Sequence, residues 1–285
     1  MEQIEIRNLS QTGNEEILNS FNTAFSDYSV PLQLDLEQLE FKLYSESVDT
    51  SISVGAFKEN KLVGFVLHGN RKIKGVPVAY NAGTGVIPKE RGERLTQRMY
   101  QFIRPILKRE GFKTVFLEVI STNTPAIISY KKIGFKEIRP LSCYKGEPHI
   151  PKINEGITIK EIHEISFDSL QKLGELQPTW QNSRETILKM GDSVRNFLAF
   201  KDNYILGYCI LNSKNNRILQ MAVRNEFRNR LIGTSLLNHI KHKVSEPISI
   251  INIDARSTPT LHFFEKRNMN KTLGQIEMKL EIVYD

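Results

Sequence analysis

The chain is written twice. The segment Ala56-Phe-Lys-Glu-Asn60-Lys-Leu-Val-Gly64-Phe65 returns as Ala199-Phe-Lys-Asp-Asn203-Tyr-Ile-Leu-Gly207-Tyr208. Val86 and Arg91 return as Val223 and Arg228, and the run Asn123–Phe135 aligns with Ser257–Met269. Three landmarks in the same order demand one architecture built in tandem. The spacing between copies narrows along the chain, so the second copy has lost residues between landmarks. Such losses belong in loops and hairpins, where they cost little. Each repeated A-F-K-[ED]-N-x-x-x-G segment reads as two strands around a tight turn, with Asn as the turn residue.

Length agrees, since 285 residues make about two domains at roughly 100–200 residues each. The boundary is expected in Lys145–Gly156, where two prolines and two glycines break any periodic pattern. That gives domains of residues 1–147 and 157–285. In the first half the pattern predicts a strand (Ile4–Asn8), helices (Asn14–Tyr28 and Asp35–Ser45), a hairpin (Ser51–His68) and a strand (Val76–Ile87). A loop and a long helix from Leu95 to Arg109 follow, then a strand (Thr114–Ile120), a helix and two terminal strands. The second half repeats this order from Ile157 to Val283. Alternating helices and hairpins give an α/β or α+β fold with a mixed sheet, not a helix bundle.

Two segments carry chemistry. In Asn123-Thr-Pro-Ala126-Ile-Ile-Ser-Tyr130-Lys-Lys-Ile-Gly134-Phe135, Asn123 suits a helix cap and Pro125 its first turn. Ala126 admits close packing, Tyr130 lies one turn further on the same face, and Gly134 ends the helix. Upstream, Val86-Ile-Pro-Lys-Glu-Arg91-Gly92-Glu93-Arg94-Leu95-Thr96 joins a strand to the long helix. Its apolar positions Leu95, Met99, Phe102, Ile103, Ile106 and Leu107 have helical spacing. Free N–H groups and the positive end of a helix dipole make such a junction an anion site.

The pattern N-x-x-A-x-x-x-Y-x-x-x-G-F resembles the acyl-CoA-binding segment of the GNAT superfamily of N-acetyltransferases, and the upstream loop resembles that family's pyrophosphate loop, [Q/R]-x-x-G-x-[G/A]. Arg91 matches that loop, while Arg94 and Thr96 replace its two glycines. Gly92 still supplies backbone freedom. The Arg94 guanidinium either points outward or helps to hold phosphate.

The resemblance implies two tandem GNAT-like domains and attack of a primary amine on the thioester of acetyl-CoA, with no metal. Acetyl-CoA would then lie on Gly85, Val86, Ile87, Arg91, Gly92, Glu93, Arg94, Leu95, Thr96, Asn123 and Ala126. Tyr130 would return a proton to the departing thiolate, against the plainer role of a half-buried aromatic. Glu118 is the most suggestive base, but strand alternation leaves it facing either the cleft or a solvated strand end. Asp27, Tyr28 and Tyr80 are candidates for the amine pocket.

The second copy looks catalytically damaged. Phe264 stands at the Tyr130 position, Ser257 at Asn123, Thr260 at Ala126 and Asn268 at Gly134. In its loop Leu231 fills the first glycine position and Gly233 survives at the second. Its role is then structural, completing a substrate cleft or a dimer surface.

Composition narrows the partners. No apolar run approaches the ~18 residues of a membrane helix, and the opening Met-Glu-Gln-Ile-Glu has no signal-like character. Cys143 and Cys209 are the only cysteines, which suits a reducing cytoplasm, and no histidine has metal-ligand spacing with them. The net charge of +7 suits the phosphates of CoA. The basic residues are dispersed without an aromatic platform, so a small-molecule or peptide amine is a better partner than nucleic acid. Two other readings stay open: a tRNA-dependent aminoacyl or peptidyl transferase, and a non-catalytic acyl-CoA-binding module.

Overall fold

The computed structural model describes residues 4–28, 32–171, 173–174, 177–245 and 247–283. The opening Met-Glu-Gln, part of the stretch read above for a signal, lies outside them. The chain forms two compact units, one of Met1–Ile138 with Ile276–Asp285 and one of Arg139–Gln275.

The first unit contains β1 (Glu5–Asn8), α1 (Asn14–Ala24), α2 (Leu36–Ser45), β2 (Val54–Lys58), β3 (Lys61–Ile73), β4 (Val76–Val86), α3 (Leu95–Arg109), β5 (Thr114–Ile120) and α4 (Thr124–Ile133). Its sheet runs in the order β1-β2-β3-β4-β5. Neighbours are antiparallel as far as β4, and β4–β5 is parallel. A parallel step needs a crossover, which α3 supplies. Its buried residues Leu95, Met99, Ile103 and Leu107 recur every fourth position and face the sheet. They pack with Val66, Ala79, Val115, Leu117 and Val119, and with Tyr130 and Ile133 of α4. On the opposite face α1 buries Ile17, Phe21 and Ala24, with the Phe21 ring stacked 5.8 Å from Phe65.

The strand β6 (Lys136–Gly146) leaves the first unit, and its residues from Arg139 onward belong to the second. That unit adds β7 (Thr158–Ile162), α5 (Phe167–Gln171), α6 (Arg184–Lys189), β8 (Val194–Lys201), β9 (Tyr204–Asn212), β10 (Arg217–Val223), α7 (Ile232–Lys241), β11 (Ile248–Asp254), α8 (Thr258–Glu265) and the start of β12 (Asn270–Glu281). Its sheet order is β6-β11-β10-β9-β8-β7, with β10–β11 parallel.

The repeat extends to local geometry. Glu59 and Asn60 have φ of 49° and 60°, and Asp202 and Asn203 have 48° and 66°. Two consecutive positive φ values make the two-residue turn whose twist matches a hairpin. Gly64 opposes Ala56, and Gly207 opposes Ala199, with a bulge beside each pair. A Cβ on Gly207 would lie 2.7 Å from the Ala222 carbonyl, so close strand approach requires glycine there.

Three features differ from the pattern-based expectation. α1 stops at Ala24 rather than running to Tyr28, because the Arg91 guanidinium takes the Ala24 carbonyl at 2.8 Å. The two terminal strands expected after α4 are one continuous strand, β6. The last member of the first unit's sheet instead comes from the end of the chain, where Met278, Leu280 and Ile282 enter the first core. The compact units are therefore not the contiguous pieces 1–147 and 157–285.

Candidate active site

Parallel pairing between β4 and β5 lasts for three residue pairs, Val78–Thr114, Ala79–Val115 and Tyr80–Phe116. Both strands continue, to Val86 and Ile120, without further pairing to each other. The sheet therefore opens into a notch, and strand edges facing it keep main-chain groups available. On the other side β4 stays paired with β3, with a bulge between Asn81 and Gly83. The Ile87 N–H is committed to the Val63 carbonyl at 2.9 Å. By strand alternation the Val86 N–H points the other way, toward the notch. Of the stretch Gly85–Ile87, Val86 is the residue with a donor to offer. Gly85 has a packing reason for its identity, since a Cβ there would lie 2.6 Å from the Phe65 ring.

At the outer end of β4 the chain makes a short 3-10 turn, Pro88–Glu90, before α3. Gly92 has φ +92°, and Arg94, the residue before the helix, is left-handed at φ 55°, ψ 30°. Arg94 is exposed and its side chain makes no capping bond. The first helical N–H groups have no intrahelical acceptor, and Arg98 is the first residue whose N–H reaches back, to the Arg94 carbonyl. Leu95 anchors this turn in the core, whereas Thr96 is half-buried. Glu93 is exposed. Arg91 does not reach into the loop. Its guanidinium holds both Asp27 oxygens at 2.6 and 2.8 Å, and its Nε donates to the Val86 carbonyl at 3.1 Å. This fork keeps the Asp27 carboxyl below its ordinary range.

α4 begins at the far side of the notch. Asn123 caps it by accepting from the Ala126 N–H at 3.2 Å and donates to the Tyr28 hydroxyl at 3.1 Å. Ala126 is partly buried against the first core. Tyr130 is buried, its ring 5.5 Å from Phe135, and its hydroxyl meets Thr84 and Asn81 of β4. Burial pushes the Tyr130 phenol up, and the Thr84 and Asn81 hydrogen bonds oppose that rise, so it keeps its proton at neutral pH. Behind it, Asn81 donates to Tyr100 at 3.0 Å, and His68 sits between Tyr100 and the Ile52 carbonyl. Burial holds His68 down at about 4. Thr84, Asn81, Tyr100 and His68 escaped the sequence reading. The only hint was polar residues interrupting apolar strands.

Glu118 lies on the other face of the sheet. Its neighbours on β5, Leu117 and Val119, belong to the α3–α4 core, so alternation turns Glu118 toward the α1–α2 side. It is half-buried and accepts from the Tyr80 hydroxyl at 2.5 Å. Burial raises its carboxyl to about 8; Glu277 and Glu46 add to the rise, while the Tyr80 bond and Lys42 oppose it. Glu46 in turn receives Lys42 at 2.7 Å. A carboxyl that titrates near neutrality is suited to take a proton from an amine. Among the described residues no group of three His, Cys, Asp or Glu is arranged to hold a metal ion, and no helix is long and apolar enough to cross a membrane.

The second unit keeps the frame and loses the groups. β10 and β11 also pair only briefly, at Arg217–Ser249 and Ile218–Ile250. Leu231 repeats the left-handed conformation of Arg94, at φ 61°. Phe264 occupies the tyrosine position, stacked on Tyr144. Asn252 stands where Glu118 does and bonds Thr179 at 3.2 Å. Asn182 donates to the Ile251 carbonyl at 3.0 Å, so a residue of the unit's own chain occupies a main-chain acceptor of β11, and the Gln220 side chain donates to the Asn182 carbonyl. An open depression of about 660 Å³ lies in this unit, lined by Ile150–Glu155, Leu231 and Asn238, and has no counterpart of Tyr130 or Glu118.

The model of the acetyltransferase (GNAT) family matches residues 14–135 and 159–269, once in each half. A GCN5-related N-acetyltransferase from Sphaerobacter thermophilus superposes with a TM-score of 0.73 at 15% identity, covering 99% of this chain and 96% of that one. A tandem GNAT protein from the clavulanic acid biosynthesis pathway gives 0.74 at 12%, covering 99% and 100%. A glucosamine N-acetyltransferase region of a fungal multi-domain β-N-acetylglucosaminidase gives 0.76 at 12%, covering 98% of this chain and 38% of that one. At these identities the likeness is one of fold. Compared by sequence with curated proteins, the chain matches none significantly.

Proposed function

The chain belongs to the acetyltransferase (GNAT) family, an acyltransferase of tandem type, and on that premise we propose that its first unit alone is catalytic, moving an acetyl group from acetyl-CoA to a primary amine. The observation that carries this reading is the β4–β5 notch with a protonated Tyr130 on one face of the sheet and a near-neutral Glu118 on the other. Acetyl-CoA supplies the acyl group as a thioester. The free N–H groups at the start of α3 and the left-handed Arg94 turn suit its pyrophosphate. An amine with an ordinary pKa near ~10 arrives protonated. Glu118 takes a proton from it, which frees the lone pair to attack the carbonyl carbon from the α1–α2 side. The Val86 N–H donates to the carbonyl oxygen as negative charge develops there. As the new C–N bond forms and the C–S bond breaks, Tyr130 donates its proton to the leaving thiolate, and the second proton of the attacking nitrogen leaves to solvent, which returns one to Tyr130.

In this reading Arg91 fixes the loop against α1 instead of binding phosphate, because four of its five N–H donors are already spent on Asp27, Ala24 and Val86. A panel of polyamines, aminoglycosides, amino acids and peptides, assayed by thiol release from acetyl-CoA, tests the activity. Calorimetry on the full chain is expected to find one acetyl-CoA site, and two sites of equal affinity count against the proposal. Stabilisation of the chain by charged tRNA, without any response to acetyl-CoA, overturns the proposal.

A further inference from the structure

Tyr80 is almost wholly buried, 2% exposed, and sits in the last residue pair before β4 and β5 part. A phenylalanine would fill that space without burying a hydroxyl, so the position of the polar atom calls for an account. That hydroxyl is bonded to Oε2 of Glu118, from a strand backbone that cannot drift as a loop can. We propose that Tyr80 is the positioning residue of the base: it fixes the Glu118 carboxylate through one oxygen and leaves the other for the incoming amine. The inference rests on reading Glu118 as the base.

The charged and titratable groups around Glu118 come from three other elements. α2 contributes Lys42 and its C-cap Glu46, the last strand contributes Glu277, and β4 contributes Tyr80. Lys42 is drawn to Glu46 at 2.7 Å, and the two further carboxylates oppose ionisation of Glu118. Tyr80 works in the opposite sense, since a hydrogen bond donated to a carboxylate favours its charged form. Removing the donor should therefore make Glu118 hold its proton about tenfold more tightly, which is about one pH unit. Tyr80 itself keeps its proton, because burial and then the Glu118 charge both push the phenol upward.

The test uses the full chain with ¹³C-labelled glutamate, the Glu118 carboxyl being assigned by its loss in Glu118→Gln. Tyr80→Phe is expected to move the Glu118 titration up by about one unit. An unmoved titration overturns the positioning role. With acetyl-CoA and the most active amine of the panel, Tyr80→Phe should lower kcat/KM by about tenfold at pH 7 and approach the parent above pH ~10. The amine's own titration is common to both proteins and cancels in the ratio. A loss equal at every pH marks a packing defect and overturns the proposal. A moved titration with an unchanged pH–rate profile overturns Glu118 as the base while leaving its bond to Tyr80. In a Glu118→Gln background Tyr80→Phe should cost no further rate, and independent losses count against the pair. Should Tyr80→Phe not fold, the unsubstituted chain still reports. Its Tyr80 hydroxyl proton should resonate far downfield and return upfield in Glu118→Gln, and a signal indifferent to Glu118 overturns the contact.

Discussion

A chain cut after Glu147 should not fold, although its sequence holds a full set of family motifs. The cut removes Met278, Leu280 and Ile282, which are 0%, 2% and 6% exposed in the first core. Fully burying one such side chain is worth roughly 1.5–3 kcal/mol, so the three together contribute about 5–9 kcal/mol as an upper figure. A domain has only about 5–15 kcal/mol of net stability. The same cut removes the Ile282 N–H bond to the Lys113 carbonyl and bares the outer edge of β5, whose Val115, Leu117 and Val119 are apolar. An open apolar edge of this kind templates aggregation. Circular dichroism during heating is the assay, on the full chain, on the cut chain, and on the cut chain with a synthetic 270–283 peptide. The expected result is no cooperative transition in the cut chain and partial recovery with the peptide. A soluble cut chain that unfolds cooperatively within about 3 °C of the full chain would show that the C-terminal strand is dispensable, since ~1 kcal/mol moves a midpoint by a few degrees.

Three further outcomes are expected. Tyr130→Phe should lower turnover by roughly 10²–10⁴ with little change in acetyl-CoA affinity, read by thiol release and calorimetry, because the ring packing survives and only the proton donor is lost. Unchanged turnover would return Tyr130 to a packing role. Arg94→Gly should leave CoA affinity unchanged at low and high salt and hold or raise stability by up to about 1 kcal/mol, since it relieves a left-handed non-glycine residue whose side chain points to solvent; a large salt-sensitive loss of affinity would assign the guanidinium to phosphate. His68 is neutral in the folded chain down to about pH 4 but takes a proton near 6.5 when unfolded, so the folded state binds fewer protons between those values. Stability from this group should be complete above pH 6.5 and fall by about 3 kcal/mol as pH drops toward 4. Glu118, its carboxyl raised to about 8, gains stability over the same window, so the check is the difference in urea unfolding between the chain and His68→Gln, and a difference that stays constant from pH 6.5 to 4 would contradict it.

Much of the candidate site's local geometry was legible because it lies in contiguous segments. Asn123, Pro125, Tyr130 and Gly134 act within one helix, so cap, face and stop follow from spacing along the chain. The Asn268 position of the second copy is left-handed at φ 58°, as its exchange for Gly134 requires. The Arg91 partner was not legible. Its pairing with Asp27 spans 64 residues, and nothing local distinguishes it from a phosphate ligand. The direction of Glu118 was equally hidden, since alternation fixes which residues share a face but not which face meets α1 and α2.

What the sequence determined alone is therefore the repeated unit and its order of strands and helices, because periodicity and turn chemistry act over a few residues. It also marked the second copy as lacking a phenol at Phe264. Tertiary structure decided which strand completes which sheet, where β4 and β5 part, and that Glu118, Tyr80, Glu46 and Glu277 meet. Those outcomes depend on contacts between residues far apart in the chain, such as the Tyr80 hydroxyl with Glu118. Burial and mutual repulsion, which raise the Glu118 carboxyl to about 8, exist only once the chain has brought those groups together.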